Sequence, residues 1–249
     1  MSYFNYQNKN IYYEVYGDGI PVVFLHGNTA SSKMFELLLP LYQDKYQIIL
    51  IDFLGYGYSD ELEMFPSDLW YQEALQTVAL LDYLNYKEVN LIGTSGGAWV
   101  AIHIALERPD LVSKVVADSF DGRTLHAGFI DELIRQREEA VNNEEARYIY
   151  EWWLGENWRS VVHKDTDALI RFVKENKEIY HKSLTSLTMP ILLIASLEDS
   201  LLRKNIEDEY SDIIQLVNDG KKYIFNDGVH PTILSHAEEF SELVKDFIE

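Results

Sequence analysis

Ser95 stands in Gly93-Thr94-Ser95-Gly96-Gly97, a G-x-S-x-G sequence between the apolar run Val89-Asn90-Leu91-Ile92 and a helix-like stretch from Ala98 to Leu106. A serine on so tight a turn is expected at a positive φ, with the glycines at 93 and 97 removing Cβ atoms that would collide across the bend. Such a turn projects the hydroxyl out of the sheet. It also aims the N–H groups and positive dipole end of the following helix at developing negative charge. The chemistry that suits this arrangement is nucleophilic attack on a carbonyl. The bland alternative is a glycine-rich strand-to-helix turn with an incidental serine.

A serine hydroxyl is a poor nucleophile until a base takes its proton, and imidazole is the usual base. Of the 7 histidines, His230 lies in the loop Asn226-Asp227-Gly228-Val229-His230-Pro231, between the last expected strand and the last helix. That places it at the sheet edge that carries Ser95. His103 is expected in the core, His126, His163 and His181 fall in a strand-poor segment, and His236 is expected on the surface of the final helix. An acid must fix the imidazole tautomer and stabilise its protonated form. Asp199, directly after the run Ile191 to Ala195, is the leading choice. Glu198, Asp118 and Asp227 are weaker ones that read equally well as solvated carboxylates or turn residues.

These residues need a scaffold, and the hydrophobic pattern supplies one. Strand-like runs occur at Ile11 to Tyr16, Val22 to Leu25, Ile48 to Ile51, Val89 to Ile92, Val112 to Ala117, Ile191 to Ala195 and Tyr223 to Phe225. Between them lie helix-like stretches at about Ser31 to Tyr42 (its end perturbed by Pro40), Leu69 to Leu84 (Ser67 as N-cap), Ala98 to Leu106, Ile206 to Val217 and Thr232 to Ile248. The alternation predicts an α/β fold, a mostly parallel central sheet with helices on both faces. Residues 1–120 and 188–249 would form its core. Residues 121–187 show no convincing strand and predict a helical lid inserted after the sixth strand. Trp152, Trp153 and Trp158 in that segment either line an apolar acyl pocket or bury the lid's helices against the body. Gly55-Tyr56-Gly57 begins like a dinucleotide fingerprint but lacks its third glycine, and it reads as a loop.

Composition narrows the partners. The chain has 249 residues with Lys plus Arg 21 against Asp plus Glu 41, a formal charge of −20. That excess disfavours nucleic acid and anionic membrane surfaces. The absence of cysteine excludes disulfides, thiolate metal sites and a cysteine nucleophile. No apolar run approaches the roughly 20 residues of a membrane span, and Met1 to Asn10 lacks the layout of a secretory signal. A soluble cytoplasmic protein is expected, acting on a small molecule without a metal or cofactor.

Taken together, Ser95, Asp199 and His230 in that order, His26-Gly27 after a strand and the loop Asp52-Phe53-Leu54-Gly55-Tyr56-Gly57-Tyr58-Ser59 resemble the α/β-hydrolase superfamily, specifically its lidded single-domain members. The resemblance implies a Ser95-Asp199-His230 triad and an oxyanion hole from the backbone N–H groups of Asn28 and Gly96, with His26 bracing its loop. It implies a carboxylesterase-like serine hydrolase. It equally permits carbon–carbon bond hydrolase, thioesterase, lactonase or peptidase activity, or a ligand-binding receptor on the same fold. Serine at position 95 argues against the branches that attack with aspartate. Two departures, Asn28-Thr29 without the usual proline and aromatic residues and Gly96 where a bulkier residue is common, are expected to leave space near the oxyanion hole.

Overall fold

A computed structural model describes residues 2–249. Its strands are β1 (Ser2–Tyr6), β2 (Lys9–Tyr16), β3 (Ile20–Leu25), β4 (Tyr46–Ile51), β5 (Val89–Thr94), β6 (Val112–Asp118), β7 (Ile191–Ser196) and β8 (Gly220–Phe225). They form one sheet in the order β1-β2-β4-β3-β5-β6-β7-β8. β2 runs antiparallel to both its neighbours, and every other pairing is parallel. Strands β5 and β7 are buried along their whole length, as expected of apolar runs covered on both faces.

Period-two alternation divides each strand between two cores. Val23, Leu25, Ile49, Leu91, Val115 and Leu193 face one side, and Val22, Phe24, Ile48, Ile92, Val116 and Leu192 face the other. The first face is covered by α2 (Leu69–Tyr83), α3 (Gly96–Glu107) and α7 (Ile206–Leu216), which follow the short α1 (Leu39–Tyr42) in this naming. Between β6 and β7 lie α4 (Phe129–Asn142), α5 (Glu144–Leu154) and α6 (Trp158–Lys174), with no strand among them. The second face receives a 3-10 segment (Ser32–Leu38), α8 (Thr232–Ser235) and α9 (Ala237–Ile248).

Register brings the site's loops together. Leu25 pairs with Gly93, and Thr94 pairs with Asp118, so β3, β5 and β6 end in one row. Ser196 pairs with Phe225, which brings the ends of β7 and β8 together in the same way. The loops bearing Asn28, Ser95, Asp199 and His230 all leave this carboxyl edge, where parallel sheets present ligand sites.

Local structure departs from the sequence pattern at four places. Ser2–Tyr6 forms a strand because Gln7 (φ 51°) and Asn8 (φ 65°) make a two-residue hairpin turn without glycine. Pro40 lies at the start of α1, where no N–H is needed, rather than perturbing a helix end. Ser67 does not cap α2; Asp68 holds that position without a side-chain bond, and the Ser67 hydroxyl donates to Glu175 at 2.8 Å. The final helix is broken at His236, whose ring stacks on Phe225 (4.2 Å between centroids) instead of lying on a continuous helical surface.

Candidate active site

Ser95 sits between β5 and α3 at φ 55° and ψ −123°. Its neighbours explain how the turn closes. A Cβ on Gly93 would lie 2.0 Å from the carbonyl oxygen of Gly97, and one on Gly97 would lie 2.1 Å from that of Leu25. Gly27 permits the β3 loop to approach, since its Cβ would be 2.8 Å from the Ser95 Cβ. The Ser95 N–H donates to the Asp118 carbonyl at 2.8 Å, which ties the turn to the end of β6.

The Ser95 Oγ lies 3.0 Å from His230 Nε2, and His230 Nδ1 lies 2.7 Å from Asp199 Oδ2. The other Asp199 oxygen accepts from the Leu201 N–H at 3.0 Å, so the carboxylate is held from two directions. In neutral His230, Nδ1 therefore donates to Asp199, and the Nε2 lone pair faces the serine hydroxyl. Burial alone lowers the pKa of the ring, but the charge and hydrogen bond of Asp199, with the charge of Asp118, outweigh it and hold the imidazole above its ordinary value. The loop carrying His230 is itself braced. Ser196 Oγ reaches the Asp227 and Gly228 carbonyls at 2.6 Å, and the Thr232 N–H donates to Ser119 Oγ at 2.8 Å.

The other acids and histidines are placed elsewhere. Burial raises the Asp118 pKa to about 6, and this carboxyl accepts from Thr94 Oγ1 and the Ile233 N–H, holding the strand end and the start of α8. Asp227 and Glu198 are largely exposed and do not contact the His230 ring. His26 Nε2 accepts from the Phe53 N–H, so its Nδ1 donates to the Gly27 carbonyl. Its burial lowers its pKa to about 4, and it braces the loop as a neutral ring. His103 is buried in α3, His126 lies against Asp121, His181 packs on Tyr71, and His163 is exposed.

Asn28 and Gly96 do not leave space; they fill it together. A Cβ on Gly96 would stand 2.2 Å from Asn28 Oδ1 and 2.8 Å from Trp70 Nε1. The Asn28 amide accepts from Trp70 Nε1 at 2.9 Å and donates to Asp165 Oδ2 at 2.7 Å, so its neighbours settle its orientation. Gly96→Ala is expected to destabilise the fold by about 1–3 kcal/mol through this overlap. The penalty should shrink in an Asn28→Ala background. Strictly additive losses in a urea-unfolding double-mutant cycle would contradict the contact.

The sequence reading overlooked Asp165, which is fully buried in the apolar stripe of α6 between Val162 and Leu169. It accepts from Arg137 Nη2 of α4 at 2.6 Å, from the Tyr56 hydroxyl at 2.5 Å and from Asn28. One carboxylate thus joins two helices of the inserted segment to the β3 and β4 loops. Its signal was present: an acid at a core position of an otherwise apolar stripe is either paired or misplaced. Asp165→Ala leaves Arg137 buried and unpaired and is expected to cost about 3–5 kcal/mol in denaturant unfolding. Replacing Arg137 by Met in the same chain should recover part of that loss.

Above Ser95 lies a cavity of about 30 Å³, lined by Asn28, Trp99, Phe120, Phe129, Leu133, Leu169 and His230 among others. None of Trp152, Trp153 and Trp158 lines it. Trp158 stacks on Tyr150 (5.3 Å, 12°) and donates from Nε1 to Glu151, while Lys33 and Ser31 bond the Trp152 and Trp153 carbonyls. Tyr150 and Trp153 of α5 pack against the core of the body. Among the described residues no group of three or more His, Cys, Asp or Glu side chains is placed to hold a metal ion, and no helix is long and apolar enough to cross a membrane.

Comparison with known proteins agrees with this architecture. A family model for the alpha/beta hydrolase fold matches residues 20–151, more than half of the chain. The chain belongs to the α/β-hydrolase family. Within that family it is 34% identical over 116 residues to the uncharacterized hydrolase YugF of Bacillus subtilis, a match spanning 45% of this chain and only 42% of that protein. It is 26% identical over 248 residues to the mouse serine hydrolase BPHL, covering 96% of this chain and 83% of the relative. The meta-cleavage product hydrolase CumD of Pseudomonas fluorescens superimposes with a TM-score of 0.78 at 18% identity, over 97% of this chain and 94% of that one. The loops bearing Ser95, Asp199 and His230 stand on the carboxyl edge of its mostly parallel eight-stranded sheet.

Proposed function

We propose that this α/β-hydrolase is a serine hydrolase that cleaves a small carboxylic ester through an acyl-enzyme. The observation that carries the reading is the hydrogen-bonded line from Ser95 Oγ through His230 to Asp199. His230 takes the serine proton as Oγ attacks the ester carbonyl, and Asp199 stabilises the imidazolium that forms. Negative charge develops on the carbonyl oxygen beside the start of α3, where the Gly96 and Asn28 backbone N–H groups receive it. His230 then gives its proton to the departing alcohol. Water, deprotonated by the same imidazole, releases the acid.

The inserted helices act as a lid in this scheme. Phe129 and Leu133 of α4 and Leu169 of α6 form the roof of the Ser95 cavity, which keeps bulk water from the acyl-enzyme. A fluorophosphonate tests the whole reading. It should label the protein one-to-one, with the adduct mapped by mass spectrometry to the peptide containing Ser95. An unlabelled protein, or an adduct elsewhere, overturns the assignment and favours a binding protein on the same fold. Hydrolysis of p-nitrophenyl acetate by the unlabelled enzyme would then separate esterase activity from a labelled but ester-inert site.

A further inference from the structure

The cavity over Ser95 is too small for the substrate this site requires. At about 30 Å³ it holds one or two waters, whereas small-molecule pockets span roughly 300–1,000 Å³. A second cavity of about 840 Å³ lies between the segment after β6 (Arg123 to Asp131) and the end of α6 with its following loop (Ile170 to Tyr180). Phe129 lines both. Leu133 and Leu169 on the inner side have Ile130 and Ile170 as their counterparts on the outer side, so the same two helices wall both spaces.

We propose that the outer cavity is the subsite for an extended apolar arm of the substrate, with the Phe129 ring as the partition that such an arm displaces. The proposal rests on the serine-hydrolase reading for the bond that is cleaved, but not for the binding of the arm. Leu125, Ile130, Phe172, Val173 and Ile179 supply an apolar wall. Of the charged residues at its rim, Arg123 pairs with Glu209 and Asp212 and Lys177 with Glu175, while Asp131, Lys174 and Glu178 are solvent-exposed. An uncharged alkyl or aryl group fits this lining better than a second ionic group.

Phe129 is placed to move. It is the first residue of α4, and Gly128 before it has φ 91° with no atom within 4 Å of where a Cβ would stand. The ring meets His126 of the same segment edge-on (5.7 Å between centroids). A rotamer change at this helix start joins the two cavities without unfolding a turn.

The test uses Val173→Trp, which puts an indole into the outer cavity from an exposed position that does not line the Ser95 cavity, and Phe129→Ala, which removes the partition. Hydrolysis of ethyl acetate, p-nitrophenyl octanoate and octyl acetate is compared for each. Val173→Trp should leave ethyl acetate kcat/KM within about twofold while raising KM at least tenfold for the octanoate if the arm is the acyl chain, or for octyl acetate if it is the alcohol. Phe129→Ala should raise kcat/KM for the same long ester relative to ethyl acetate. Calorimetric titration of 1-octanol into the Ser95→Ala protein reads the subsite without turnover. Binding that Val173→Trp weakens at least tenfold supports the subsite even if the wild type hydrolyses no ester, in which case only the hydrolase reading fails. Undetectable octanol binding, or binding that both substitutions leave unchanged, overturns the subsite even if every ester is hydrolysed.

Discussion

Ser95→Ala is expected to lower kcat for p-nitrophenyl acetate on the order of 10⁶-fold while leaving the fold intact. The hydroxyl's side-chain partner is His230 Nε2, on a partly exposed ring that lines a cavity with room for water, so alanine removes the nucleophile without stranding a fully buried group. The positive φ at this position penalises serine and alanine alike, because both carry a Cβ. Ser95→Gly separates the two effects. It loses the same activity but should be more stable than the alanine variant by about 1 kcal/mol, because glycine meets no penalty there. Urea unfolding of the pair reads the strain, and steady-state kinetics reads the chemistry. Ser95→Ala activity within tenfold of wild type would sink the nucleophile assignment.

Asp199→Asn should produce the second largest loss, on the order of 10⁴-fold in kcat, together with a displaced pH profile. Asparagine presents an N–H to His230 Nδ1, which favours the tautomer with the proton on Nε2. That nitrogen then faces the serine hydroxyl as a donor and can no longer accept its proton. The sign of the pH effect follows from the forces on the ring. A general base works only when neutral, so kcat/KM of the wild type should fall on the acid side with a midpoint above the ordinary imidazole value of about 6.5. Asp199 supplies both the charge and the hydrogen bond that raise the imidazole pKa against its burial. Removing the charge lets burial dominate, so the residual activity of Asp199→Asn should have its acid midpoint at lower pH than the wild type. A midpoint that stays in place would show that another group controls ionisation, with Asp118, raised to about 6, the first to examine.

Much of the architecture was readable from local pattern. Uninterrupted apolar runs become strands covered on two faces. The glycines at 93 and 97 stand where any Cβ would overlap backbone, and His26, held between the Phe53 N–H and the Gly27 carbonyl, braces its loop. These are consequences of sterics and burial over a few neighbouring residues. The first strand escaped notice because its turn uses Gln7 and Asn8 at positive φ without a glycine. The break at His236 escaped because the helical periodicity of Thr232 to Ile248 runs straight across it.

The contacts around the oxyanion loop are of another kind. Gly96 and Asn28 look like independent departures from a family pattern along the chain, yet each fits only because of the other, and Trp70 fixes the amide between them. Asp165 is 137 residues from Asn28 and its role depends on two helices crossing at that point. The aromatic-rich α5 and Phe129 of α4 could exchange functions on composition alone, and packing puts Phe129 rather than the α5 tryptophans on the wall of the cavity above Ser95. Backbone conformation and the alternation of strands and helices follow from short-range rules written in neighbouring residues. Which side chains share a buried volume depends on how whole elements dock, and the residues of this chain carry that information only collectively.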